Sequence, residues 1–151
     1  MDKKAIIVHY CNYQERCHQE VRNKLYEIGC HKQEVEELIS YLIESNLLNE
    51  ERYAQSFARG KFRLKNWGRN KIIHELRKKK ISDYCIRKSM LEIDDVDYEE
   101  TINKIAEKKY KELCREKNNR IREQKIYRYL LQKGFESNVI NTLIKKMKDC
   151  K

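Results

Sequence analysis

Residues 47–80 read LLNEERYAQSFARGKFRLKNWGRNKIIHELRKKK, and this stretch decides how the rest of the chain is read. Asn49 followed by Glu50 and Glu51 has the pattern of a helix N-cap with acids in the first turn, where the helix dipole favours them. Tyr53, Ala54, Phe57 and Ala58 then recur three to four apart, the spacing of one buried helix face. A turn carrying the only tryptophan, Trp67, and Gly68 separates this run (50–62) from a second helix-like run over 69–79. Between Gly60 and Lys80 stand Lys61, Arg63, Lys65, Arg69, Lys71, Arg77, Lys78, Lys79 and Lys80 against one acid, Glu75. So dense a cation cluster with an aromatic inside it points to a polyanionic or acidic partner.

The same helical grammar extends in both directions. Val21, Leu25 and Ile28 form a periodic run that Gly29 stops. Val35, Leu38, Ile39 and Leu42 make one apolar stripe on an acidic helix ended by Asn46. Downstream, Ser82–Asp83 offers an N-cap for a run through Ile86 and Met90, and Asp94–Asp95 breaks that run. Ile102, Ile105, Ala106 and Leu113 follow, then Ile126, Tyr129 and Leu130 up to Gly134, then Val139 to Met147. Residues 115–123 are polar and fit either a hinge or continuing helix, and residues 1–14 show no clear period, as expected of a partly ordered arm.

A repeat underlies this order. Val21, Leu25, Cys30, Val35 and Ile39 match Ile72, Leu76, Ile81, Ile86 and Met90 at a shift of 51 residues. They match again Ile126, Leu130, Phe135, Ile140 and Ile144 at a further 54, with Gly29, Lys80 and Gly134 at equivalent stops. The expected architecture is therefore all-α, an elongated tandem array of three-helix modules whose last copy ends before a third helix. The boundaries that follow are an arm over 1–14 and repeats over 15–65, 66–114 and 115–151.

Composition agrees with helix and excludes several classes. There is no proline, glycines are few, and 38% of residues are charged, giving a net charge of +10. The first apolar run, Ala5 to Val8, is too short for a signal peptide or membrane span, so a cytoplasmic protein without membrane attachment is expected. Six scattered cysteines form no CxxC pair, which fits reduced core thiols better than a disulfide framework. Cys11, Cys17, His18, Cys30 and His31 do not have zinc-ligand spacing, and no cofactor or metal is expected. No nucleophile–base set, phosphate loop or carboxylate pair can be placed, so the chain does not read as an enzyme.

The motif Asn49-Glu50-Glu51-Arg52-Tyr53-Ala54, followed by Trp67-Gly68 and Ile72-x-x-x-Leu76, resembles the RecX family of recombinase regulators. The Gly29 stop, Val35-Glu36-Glu37 and Leu130-x-x-x-Gly134-Phe135 agree, so the likeness runs from about residue 15 to 147. Where many family members continue Trp-Gly with proline, this chain has Arg69. The resemblance implies three tandem three-helix units, no catalytic centre, and binding to RecA and RecA–DNA filaments. It further implies damping of ATPase, strand-exchange and co-protease activity in DNA repair, recombination and the SOS response. A monomer is expected.

The partner-binding candidates are Lys61, Arg63, Lys65, Arg69, Lys71, Arg77, Lys78 and Lys79, with a second, acid-diluted group at Arg120, Arg122, Lys125 and Arg128. They would meet DNA phosphates or an acidic protein surface. The plainer reading is a solvated face neutralised by the acidic stretches 34–51 and 92–100. Trp67 fits a packing anchor at a module seam better than a base-stacking platform, because Gly68 beside it marks a tight turn. The motif residues Asn49 to Ala54, with Trp67 and Gly68, are expected to serve the fold, Arg52 by pairing with acids of a neighbouring helix. The competing functional class is a basic helical DNA-binding protein acting without RecA.

Overall fold

The computed structural model describes residues 2–149. Among the described residues there are nine α-helices and no strands. They are α1 (Lys3–Tyr13), α2 (His18–Glu27), α3 (Lys32–Glu44), α4 (Glu50–Lys65), α5 (Arg69–Lys78), α6 (Asp83–Met90), α7 (Asp95–Glu112), α8 (Asn119–Gln132) and α9 (Ser137–Asp149). The all-α class read from the sequence is the observed one. The chain forms two compact units, one running through Phe57 and resuming over residues 76–89, the other taking 58–75 and everything from Met90 to Asp149.

The repeat is visible as one backbone device used three times. Gly29, Lys80 and Gly134 all adopt positive φ, at 95°, 61° and 98°. At each stop the following residue donates its N–H five residues back: Cys30 to Leu25 O (3.0 Å), Ile81 to Leu76 O (3.1 Å) and Phe135 to Leu130 O (3.1 Å). The stop residue itself donates to Tyr26, Arg77 or Leu131. This is the Schellman arrangement, which satisfies helix-end carbonyls and packs an apolar residue past the cap onto the last turn. Both partners of each apolar pair are buried. Only the middle copy puts a side chain in the left-handed region, so Lys80→Gly is expected to raise unfolding free energy by up to about 1 kcal/mol in urea titration.

Helix starts follow the capping residues of the sequence. Asn49 Oδ1 accepts from Arg52 N at 3.0 Å, Ser82 Oγ from Cys85 N at 3.3 Å and Asp94 Oδ2 from Asp97 N at 3.1 Å. Asn118 caps α8 by accepting from Arg120 N and Ile121 N, so residues 119–123 are helix and the break falls before them.

The N-terminal segment differs from expectation. Residues 3–13 are not a partly ordered arm but α1, capped by Asp2. Its mean pattern is weak because only Ile7 and Cys11 are buried, one turn apart. Both join Val21, Leu25, Cys30, Val35, Ile39, Leu42 and Leu48 in a single apolar cluster of the first unit.

In the second unit the α4–α5 corner and the α8–α9 corner interlock through backbone. Gly68 N donates to Lys133 O at 2.7 Å and Asn70 N to Gly134 O at 2.9 Å. A Cβ on Gly68 would run into the Gly134 and Phe135 backbone, and one on Gly134 would lie 2.6 Å from Lys71 N. Phe62, Tyr98 and Phe135 stack in series beside this corner, with ring centroids 5.8 and 5.2 Å apart.

A basic cradle around Trp67 as the candidate functional site

The α4–α5 corner gathers lysines that the helical repeat alone would spread out. Asn66 takes φ 57° and ends α4, so the chain turns within three residues and brings Lys61 and Lys71 to the same indole. Their ammonium groups lie 5.0 and 4.6 Å from the half-buried Trp67 ring centroid. Cations at this range are attracted to the ring's negative face. Because the α8–α9 corner docks here, Lys133 joins them, its Nζ donating to Lys65 O at 2.8 Å. Burial, then the charges of Lys71 and Lys65, push the Lys133 ammonium below the usual lysine range. Like charges held this close concentrate positive potential, which favours an anion over a neutral ligand. Beside Lys133 a cleft of about 110 Å³ is lined also by Asn66, Lys108, Lys109 and Tyr129, and Lys109 sits 4.6 Å over the Tyr129 ring.

The other basic candidates fall in different places. Arg63 is exposed on the last turns of α4. Arg77, Lys78 and Lys79 belong to the first unit. There Arg77 lies 4.0 Å from Asp83, and Lys79 stands 6.0 Å from the Phe57 ring. Arg120 and Arg128 are exposed on α8, while Lys125 pairs with Glu116 at 3.4 Å. Two arginines are occupied by the fold. Arg122 donates through Nε and Nη2 to Leu113 O at 3.1 and 2.9 Å, holding the end of α7.

Arg69 is the clearest departure from the expected interface. Its guanidinium lies 3.9 Å over the Tyr98 ring and pairs with Asp95 at 2.7 Å and Glu136 at 3.3 Å. Tyr98 hydroxyl donates to Glu136 and accepts from Arg69 N at 3.0 Å. This network fixes the start of α5, so Arg69→Ala is expected to lower unfolding free energy by about 2 kcal/mol, measured by urea titration. A loss below experimental error would mean that Arg69 is not held as described.

Sequence reasoning missed Lys133, Lys108 and Lys109. Lys133 carried one usable signal, since it immediately precedes the Gly134 stop that matches Gly29 and Lys80. Nothing in the pattern says that this stop docks on Trp67-Gly68, because that is a contact between corners 66 residues apart in sequence.

The motif residues sit in fold contacts. Arg52 Nε reaches both Glu15 carboxylate oxygens, at 2.7 and 2.8 Å, and its Nη2 donates to Asn46 O at 3.0 Å. Glu15 lies in the turn before α2 rather than in a helix, so the pair ties that turn to α4. Tyr53 and Ala54 are buried, and Cys85 Sγ lies 3.6 Å from Glu50. Cys11, Cys17, Cys30 and Cys85 are buried thiols, and burial raises Cys17 to a pKa of about 11. His31 is spent as the α3 cap, its Nδ1 accepting from Glu34 N. Cys150 lies outside the described residues.

The fold and the cradle together define a basic, all-helical repeat protein. The chain belongs to the RecX family. Models of the first, second and third RecX three-helix domains match residues 4–42, 49–90 and 97–144. Regulatory protein RecX of Clostridium perfringens is 36% identical over 85% of this chain and 60% of that protein. The chain thus spans about 60% of the length of that relative. Regulatory protein RecX of Prosthecochloris aestuarii is 28% identical over 91% of this chain and 88% of its own. The crystal structure of RecX from Lactobacillus salivarius superposes with a TM-score of 0.86 at 29% identity, covering 97% of this chain and 94% of that one.

These domain models also set the frame of the repeat. Each unit opens with a helix and closes with the hairpin: α1–α3, α4–α6 and α7–α9. The boundaries 15–65, 66–114 and 115–151 stand one helix out of phase with this. Trp67-Gly68 therefore falls inside the second three-helix domain, at the corner between its first two helices, and α7 begins the third.

Proposed function

We propose that this protein binds RecA and RecA–DNA filaments and regulates them, mainly by inhibition, without catalysing a reaction itself. One observation carries this reading: three domain models of a single regulatory family follow one another in order along residues 4–144. The relatives that support it are named regulatory proteins. No helix among the described residues is long and apolar enough to cross a membrane. Work on DNA filaments would place the protein in the cytoplasm. In this reading Lys61, Lys65, Lys71 and Lys133 meet phosphates of the filament's DNA, and Arg63 extends the surface along α4. Motif residues Asn49 to Ala54 then act indirectly, by holding the helices that present the cradle.

The test is DNA-dependent ATP hydrolysis by RecA, titrated with this protein. Hydrolysis is expected to slow at substoichiometric amounts, as one regulator on a filament affects many subunits. Unchanged hydrolysis and strand exchange over a wide concentration range would sink the proposal. DNA binding of equal strength with and without RecA would instead select the stand-alone DNA-binding reading, which the same cradle serves.

A further inference from the structure

We propose that Lys133 is a modification site, whose Nζ takes an acyl group from a small acyl phosphate and so switches the cradle to a weaker state. The position of the amine is the first support. Lys133 is the C-cap of α8, and its Nζ is held on Lys65 O at 2.8 Å, a carbonyl at the end of α4 that helix geometry leaves without an intrahelical partner. One N–H suffices for that bond, so a neutral amine keeps its place and leaves its lone pair directed elsewhere. The surroundings are the second support. Burial and the charges of Lys71 and Lys65 disfavour the protonated form, which raises the share of nucleophilic amine. The same two lysines favour the approach of a phosphate-bearing donor. Space is the third. The adjoining cleft of about 110 Å³, lined by Ile105 and Tyr129 as well as by Lys108, Lys109 and Glu112, has room for a two-carbon acyl group. The one acid there, Glu112, lies 3.7 Å from Lys109.

The step balances without a redox partner. The amine lone pair attacks the acyl carbon, the bond from that carbon to the phosphate oxygen breaks, and its electron pair leaves with inorganic phosphate. The nitrogen then loses a proton to water. The product amide keeps one N–H for Lys65 O, so the corner need not reopen, while one positive charge has gone.

The test treats the whole protein with acetyl phosphate and follows site occupancy over time by peptide mass spectrometry. Lys133 is expected to acetylate several-fold faster than Lys104 and Lys145, which are exposed lysines of the same unit. The Lys65→Met, Lys71→Met double variant is expected to slow Lys133 towards the rate of those two. Equal rates in the wild-type chain overturn the proposal, and so does an undiminished Lys133 rate in a helical, cooperatively folding double variant. The wild-type comparison decides even if the variant misfolds. These kinetics involve neither DNA nor RecA, so they stand or fall apart from the regulatory reading. The switch does rest on that reading: acetylated protein is expected to bind DNA more weakly, with a salt slope smaller by roughly one. Unaltered DNA affinity after full Lys133 acetylation would overturn the switch.

Discussion

Gly68→Ala is expected to lower the unfolding free energy by about 3 kcal/mol or more, because its added methyl meets backbone that cannot step aside. The atoms in its way are the Gly134 carbonyl and Phe135 N, both parts of a helix stop whose hydrogen bonds already fix them. Making room also breaks the Gly68 N to Lys133 O and Asn70 N to Gly134 O bonds, leaving the first turn of α5 with unpaired donors. The four glycines form a graded series measured by urea titration. Gly60 lies mid-helix with open space around it, so Gly60→Ala is expected to stabilise by about 0.5–1 kcal/mol. Gly29 also faces open space but has φ +95°, so Gly29→Ala is expected to lose about 1 kcal/mol from backbone strain alone. Gly134 combines φ +98° with the clash on Lys71 and should fall with Gly68 or below it. If Gly68→Ala cost no more than Gly29→Ala, the corner-to-corner interlock would be wrong.

Reversing three charges of the cradle, Lys61→Glu, Lys65→Glu and Lys71→Glu together, is expected to weaken binding to RecA–DNA filaments by about 100-fold or more at moderate salt. The far-ultraviolet circular-dichroism signal should be unchanged, since Lys65 is exposed and Lys61 and Lys71 are only half-buried. Replacing one of them by Gln should reduce the salt slope by roughly 0.7–0.9, depending on whether single- or double-stranded DNA is bound. Lys104→Glu with Lys145→Glu serves as a control that shifts the charge by about four units rather than six on exposed positions, and should alter binding only a few-fold. Equal losses in the control would point to net charge rather than a defined surface. Arg69 is left out of the set because its reversal would place an acid against Asp95 and Glu136, so a binding loss would merely report a damaged fold.

Much of the fold was legible because local chemistry dictates it. Asn49, Ser82 and Asp94 cap helices with their own side chains, within three residues. Gly29, Lys80 and Gly134 stop helices at positions that the repeat had already aligned, and even the lysine adopts positive φ there. Residues 1–14 were harder to read because α1 buries only Ile7 and Cys11, too few to set a period. The repeat frame was ambiguous for a related reason. Matching hairpins mark equivalent positions, but they do not say whether the intervening helix begins a unit or ends one.

What the sequence determined by itself is therefore the helical class, the stops and caps, the threefold repeat, and an excess of cations around Trp67. What only the tertiary structure decided is which cations lie together. Arg69 and Arg122 sit in basic clusters of the sequence, yet carboxylates and a helix-end carbonyl take up their guanidinium groups. Lys133 lies 62 residues beyond Lys71, yet the docking of two glycine corners brings it to the cradle. Caps and periods are short-range consequences of backbone geometry, written within a few residues. The electrostatic partners of a side chain depend on distance in space, and that is set by packing between segments far apart along the chain.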